Sequence, residues 1–422
     1  MSWAFFIVSV IGALFTINAL WPVRRPEPFA LPSFFAGWLT SELPYHHLVW
    51  QAVATLAWIA VGALDHWPGV AGLAITLCSW VGLVMLIRRS ELAPAVIEAA
   101  LREGLGDDYR DQIDAVRAGA WGRTLAWRQI AKPLSRRDVA VTIERDITFA
   151  ERGERPLKLD VYRPADGRAG CPVVLFIHGS AWVVSDKREQ GIPMMLRLAS
   201  HGWVCVTANY RLSPKATFPD HLLDAKEALR WIREHGAEHG ADPSFVVAAG
   251  ASAGGQLAAL IALTPNDPAY QPGWEDVDTT VQGAVLIYGV FDLTNRLRVR
   301  GRGFVRFLER VVMKKKLADD PEAFARASPM DLVGPASPPT LIVHGSNDTL
   351  VPVQEARHYA ALLRQASTAP VAYAELPGAQ HAFEVFRTVR GLNTVAGIER
   401  FCDYVYSTRH GAVARADPLP GA

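Results

Sequence analysis

The stretch FVVAAGASAGGQLAALIAL, Phe245 to Leu263, decides the fold. An apolar run, Phe245 to Ala249, leads into Gly250-Ala251-Ser252-Ala253-Gly254, then Gly255 and the helix-prone run Gln256 to Leu263. This reads as strand, turn, helix. The flanking glycines suit a sharp turn, because side chains there would clash as the serine hydroxyl is pushed out above a sheet. A helix starting beside Ser252 offers backbone N–H groups and the positive end of its dipole to a developing oxyanion. G-x-S-x-G also arises by chance, and a small-residue helix entry without chemistry is the plain alternative. A dinucleotide site is disfavoured, because Ser252 occupies the second glycine position of G-x-G-x-x-G and no G-K-[ST] follows.

Working outward, strand-like runs recur at Asp146 to Ala150, Leu157 to Tyr162, Val173 to Ile177, Val204 to Ala208, Ala284 to Ile287, Leu341 to Val343 and Val371 to Ala374. Helical segments such as Asp220 to His235 and Val353 to Gln365 lie between the later ones. Apolar strands alternating with helices predict an α/β fold, a mostly parallel doubly wound sheet buried on both faces.

A serine hydroxyl needs a base, and the base needs an orienting carboxylate, both at the same carboxyl edge of the sheet. Asp348 lies in the loop leaving strand Leu341 to Val343; an Asx-turn role is its alternative, and Asp292 is the reserve candidate. Of the histidines after Asp348, His358 falls in mid-helix and His410 in the tail, whereas His381 occupies the loop after strand Val371 to Ala374. The order Ser252, Asp348, His381 is that of hydrolases with a serine elbow. His178-Gly179-Ser180-Ala181-Trp182 follows strand Val173 to Ile177, and its small residues let backbone N–H groups approach a tetrahedral oxygen, with the N–H of Ala253 as partner donor. A tight turn that merely connects is the alternative.

These motifs, with NYRLSP at 209–214, HGSNDTLVP at 344–352 and QHAF at 380–383, resemble the α/β-hydrolase superfamily. Within it they are similar to the hormone-sensitive-lipase-like esterases, especially membrane-anchored actinobacterial lipase/carboxylesterases. The resemblance implies a Ser252, Asp348, His381 triad, oxyanion donors from Gly179, Ser180 and Ala253, and acyl-ester substrates. HGGG is frequent in that family, whereas Ser180 and Ala181 replace glycines here, which leaves open which N–H of the loop donates. Neither metal nor organic cofactor is required by this chemistry. An amidase or peptidase with the same triad, and a non-catalytic binding protein on the same fold, are the competing readings; no repeat suggests the recognition domain a peptidase usually adds.

The chain has 422 residues, 50% hydrophobic, with 43 lysines and arginines against 42 acids, so no basic footprint for nucleic acid exists. Cys78, Cys171, Cys205 and Cys402 lack metal-site spacings and outline no disulfide framework, which fits a reducing compartment. Hydrophobicity concentrates at the start. Three charge-free windows, 1–23, 43–64 and 66–87, each match the roughly 20 residues of a spanning helix. Asp65 and Pro68-Gly69 favour a tight hairpin between the second and third windows, with Trp67 at the interface. No lysine or arginine precedes the first window and no small-x-small site stands out, so permanent anchoring is expected over a cleaved signal. The pairs Arg24-Arg25 and Arg88-Arg89 put both ends on the cytoplasmic side, with the amino terminus outside and the catalytic part in the cytoplasm.

The expected organisation is a membrane anchor with three transmembrane helices over 1–89, an amphipathic connector over 90–140, the catalytic domain over 141–412 with a cap insertion at about 293–328, and a flexible tail over 413–422. In the connector, Leu92, Val96, Ile97, Ala100, Leu101 and Leu105 recur at helical spacing. Trp121 and Trp127 then alternate with Arg123, Arg128, Lys132, Arg136 and Arg137, suited equally to an anionic membrane surface or a solvated linker. In the insertion, the stretch 296–316 carries nine basic residues against Glu309, interleaved with Phe304, Val305, Phe307, Leu308, Val311, Val312 and Met313. It reads as a cap held against membrane lipids, or as a solvated helix with its apolar face on the core.

Overall fold

A computed structural model describes residues 1–122, 127–152 and 155–416. Arg123 of the basic connector and residues 417–422 of the expected tail lie outside the described residues. Among the described residues the eight strands are β1 (Val141–Arg152), β2 (Arg155–Pro164), β3 (Cys171–Ile177), β4 (Val204–Ala208), β5 (Ala241–Ala251), β6 (Gly283–Ile287), β7 (Thr340–Gly345) and β8 (Val371–Leu376). They form one sheet in the order β1-β2-β4-β3-β5-β6-β7-β8. β2 is antiparallel to β1 and β4, and the other pairs are parallel. Each strand-like run of the sequence falls within one of them. β3, β4, β6 and β7 are buried at every residue, as the absence of polar alternation demands.

The amino-terminal part begins with α1 (Ser2–Leu20), α2 (Ala30–Glu42), α3 (Pro44–Ala60) and α4 (Trp67–Glu91). Among the described residues two helices, α1 and the one starting at Trp67, are long and apolar enough to cross a membrane; α3, with 17 residues, meets only the lower bound of about 17 for a span. Gly72 approaches Phe6 and Gly82 approaches Thr16 and Leu20, so α1 and α4 run parallel. Thr16 Oγ1 meets Ser79 Oγ at 2.8 Å and Thr76 Oγ1 donates to Ser9 Oγ at 2.9 Å between them. The two arginine pairs therefore emerge at one end of the bundle, where Arg89 donates to the Leu20 carbonyl. Helix α2 was not anticipated. It lies at that same end.

The connector over 90–140 is not one helix. α5 (Ala93–Leu105) stops at Gly106, whose φ of 102° is left-handed territory, and the short α6 (Ala115–Ala120) and α7 (Trp127–Ile130) follow. Ile97, Leu101 and Leu105 of α5 join a core with α8 (Ile192–Ser200) and α14 (Val389–Ala416), so α5 is a layer of the α/β fold. Trp121 is likewise docked, its Nε1 donating to Asp403 at 2.8 Å. On the other face of the sheet lie α9 (Asp220–His235), α10 (Ala253–Leu263) and α13 (Val353–Ala366). α14 runs on to Ala416, so residues 413–416 of the expected tail are helical. The insertion after β6 holds α11 (Arg302–Phe307), which runs on into a π-helical turn at Leu308–Val312, and α12 (Pro321–Ala327).

Candidate active site

The turn from β5 to α10 sets Ser252 at φ 57°, ψ −121°. Close packing holds it there. A Cβ on Gly250 would fall 2.1 Å from the Gly254 carbonyl, and one on Gly254 would fall 2.0 Å from that of Ile177. Both positions therefore exclude any side chain, and the Ser252 N–H is fixed by the Ile287 carbonyl of β6 at 2.9 Å.

His381 Nε2 lies 3.0 Å from Ser252 Oγ, and His381 Nδ1 lies 2.6 Å from Asp348 Oδ2. The three residues come from the ends of β5, β7 and β8, at one edge of the sheet. Asp348 Oδ1 accepts from the N–H groups of Leu350 and Val351, each at 2.8 Å, which fixes the loop leaving β7. Burial works against the Asp348 charge. The neighbouring His381 and His344, with their hydrogen bonds, nonetheless hold its carboxyl well below the usual carboxylate range. Gln380 Oε1 receives the N–H of Thr349 at 2.8 Å and of His381 at 2.9 Å, tying the two loops together. The reserve candidate Asp292 instead accepts from Thr294, Arg296 and Leu297 in a local turn, and His358 is exposed on α13.

Ser180, Ala181 and Trp182 all have positive φ, 72°, 55° and 63°. This turns the loop after β3 over Ser252. The N–H of Gly179 is already taken: it donates to Gln190 Oε1 at 2.6 Å. That hydrogen bond removes Gly179 from the expected donors. Ser180, Ala181 and Ala253 line the cavity beside Ser252, and no hydrogen bond occupies their N–H groups among the described residues. The chain 209–214 props the loop: Tyr210 OH donates to the carbonyls of His178 and Gly179, and its ring stacks on His178 at 4.5 Å. Burial pushes His178 down to about 4, so the ring is neutral at physiological pH.

Behind His381 sits a buried pair that the sequence did not signal. Tyr288 packs its ring against His381 at 4.3 Å and hydrogen-bonds Glu384, whose carboxyl burial pushes up.

The cavity over Ser252 has a volume of about 820 Å³. Phe304 and Phe307 of the insertion form one side, and Phe34, Phe35 and Trp38 of α2 another. Trp38 Nε1 donates to the Ala382 carbonyl at 3.0 Å, and Phe34 meets the His381 ring edge-on at 6.3 Å. Thr349 Oγ1 donates to the Ala30 carbonyl at 3.2 Å, and Glu42 pairs with Arg390 at 2.5 Å, both partners buried. Leu308, Val312 and Met313 of the insertion are in the core, so its apolar face is spent on the fold.

The family described as BD-FAE matches residues 159–363. The chain is 38% identical over 420 residues to "Probable carboxylic ester hydrolase LipM" of Mycobacterium tuberculosis, covering 98% of this chain and 95% of that protein. "Esterase LipQ" of the same organism is 36% identical, over 92% of this chain and 88% of its own length. Among solved structures, the native esterase Est2 of Thermogutta terrifontis has a TM-score of 0.52 at 24% identity, over 67% of this chain and 94% of that one. A truncated carbohydrate esterase from gut microbiota has a TM-score of 0.53 at 22% identity, over 62% and 96%. The solved structures speak to the fold, which they share. Identity sustained along nearly the whole length of both proteins means that the chain belongs to the hormone-sensitive-lipase-like α/β-hydrolases, as a carboxylic ester hydrolase.

Proposed function

We propose that Ser252, His381 and Asp348 act as a catalytic triad that cleaves acyl esters through an acyl-enzyme at a membrane surface. The observation that carries this reading is the hydrogen-bonded line from Ser252 Oγ through His381 to Asp348, at 3.0 and 2.6 Å. Ser252 Oγ attacks the ester carbonyl while its proton passes to His381 Nε2; Asp348, kept ionised, fixes the tautomer and balances the imidazolium. The oxyanion is received by the N–H groups of Ser180, Ala181 and Ala253, preorganised by loop strain and the start of α10. His381 then gives its proton to the departing alcohol. It next takes one from water, whose oxygen attacks the acyl carbon, releases the acid and restores Ser252 Oγ–H.

The membrane part of the reading assigns 1–89 as an anchor with the catalytic domain on the cytoplasmic side. It is supported by two helices of spanning length and by both arginine pairs lying at one end of the bundle. The basic faces of the connector and insertion would then meet anionic headgroups. Ser252→Ala in the full chain, assayed on nitrophenyl esters of increasing chain length, is expected to lower kcat by roughly 10⁴-fold or more with an unchanged thermal midpoint. Turnover by the variant at the wild-type rate refutes the triad.

A further inference from the structure

Beside the catalytic cavity lies a second one, of about 510 Å³. Four arginines are among the residues that line it: Arg24 and Arg25, which follow α1, and Arg298 and Arg300, from the insertion after β6. One carboxylate, Glu27, shares the wall, but it is turned to the insertion backbone, accepting from the N–H groups of Gly303 and Phe304 at 3.0 and 3.1 Å. Arg300 is answered by the buried Glu355, yet its Nη2 is buried with no hydrogen-bond partner among the described residues. Arg24 donates only to neutral acceptors, the Ser346 carbonyl at 2.6 Å and Asn347 Oδ1 at 3.3 Å. The Arg298 backbone N–H donates to the Asn295 carbonyl at 3.0 Å, but the side chains of Arg25 and Arg298 have no ion pair or hydrogen bond among the described residues.

Gathering like charges from two distant parts of the chain is unfavourable unless an anion answers them. Arginine forks suit phosphate and carboxylate groups in particular. Leu31, Arg300, Phe304 and Leu350 line both cavities, so the arginine cavity shares a wall with the apolar one that holds Ser252.

We propose that the two adjoining cavities hold one amphiphile, a fatty-acyl ester of a phosphorylated alcohol, with its chain among the aromatic residues over Ser252 and its phosphate between Arg25 and Arg298. This deepens the esterase reading and rests on it for the reaction. Cleavage leaves the phosphate untouched: the acyl C–O bond breaks, water supplies hydroxyl to the acid and a proton to the alcohol, and the products are a fatty acid and the phosphorylated alcohol.

The test uses the full chain in non-ionic detergent, with nitrophenyl decanoate as reporter and three competitors: decyl phosphate, decanol and inorganic phosphate. Decyl phosphate is expected to inhibit at a concentration about tenfold or more below that needed for decanol. Inorganic phosphate is expected to inhibit far more weakly than decyl phosphate. In the Arg25→Gln/Arg298→Gln double variant the ratio between decyl phosphate and decanol should fall to about two, each variant serving as its own reference. Equal inhibition by decanol and decyl phosphate in the wild type, or an unchanged ratio in the double variant, overturns the proposal. Inhibition by inorganic phosphate as strong as by decyl phosphate overturns it also, and marks a free-anion site. Calorimetric binding of the same competitors to Ser252→Ala separates the two readings. A Ser252→Ala protein that keeps the binding ratio but also turns over esters at the wild-type rate sinks the triad while the arginine cavity stands.

Discussion

Ser252 stands in a backbone region that side-chain-bearing residues rarely occupy, at a cost of about 1–3 kcal/mol. The close packing around Gly250 and Gly254, which leaves no room for a side chain at either position, explains how the fold sustains it. At the other end of the line, Asp348 owes its charge to four hydrogen-bonding neighbours rather than to solvent. Asp348→Asn keeps the shape but favours the wrong imidazole tautomer, so kcat is expected to fall by roughly 10⁴-fold with KM little changed, read on nitrophenyl esters. That the three residues meet was legible because they sit on loops at the ends of parallel strands, in the chain order of a serine elbow, an acid and a histidine. The state of the Gly179 N–H was not, because Gln190 reaches it from eleven positions along the chain, across a loop whose path no local pattern fixes.

At the scale of elements, the apolar strands and the helices at Asp220 and Val353 announced themselves by length and periodicity. Helix α2 did not. Its 13 residues are too short for a spanning window and carry no strong polar stripe, so between two longer apolar runs it reads as linker. Yet α2 carries Trp38, which stacks on Phe34 at 5.2 Å, meets Phe386 at 5.1 Å and bonds the residue after His381. Trp38→Ala widens the aromatic side of the cavity. Its kcat/KM is expected to drop about tenfold on decanoyl esters and under threefold on acetyl esters, measured across a nitrophenyl series. An equal drop on both would mean that Trp38 serves His381 alone. The amphipathic pattern of α5 was legible, but its stopping point was set by Gly106 and its partner by the distant β8.

For the whole molecule, acid is the vulnerable direction. His178 and His221 are both pushed down to about 4 by burial, so the folded state keeps them neutral while the unfolded chain protonates them below about pH 6.5. The unfolded state thus binds more protons between about pH 6.5 and 4, and stability falls through that window by up to about 3 kcal/mol per histidine. Asp348, held down in the folded state, adds a further loss below about pH 4 as its carboxylate protonates. His221→Gln should lower the pH 7 thermal midpoint somewhat, through its bond to Ser213, while shrinking the difference between pH 7 and pH 4.5. An undiminished difference would assign the acid loss elsewhere.

Helix α2 belongs by sequence to the hydrophobic amino-terminal part and by position to the cavity over Ser252. A shortened enzyme begun at Ala93, the obvious choice for a water-soluble preparation, would retain Ser252, Asp348 and His381 but lack one side of the cavity over them. Such a preparation should still deacylate small activated esters, while misreporting every preference for chain length. Selectivity measured on the trimmed form would describe a different enzyme.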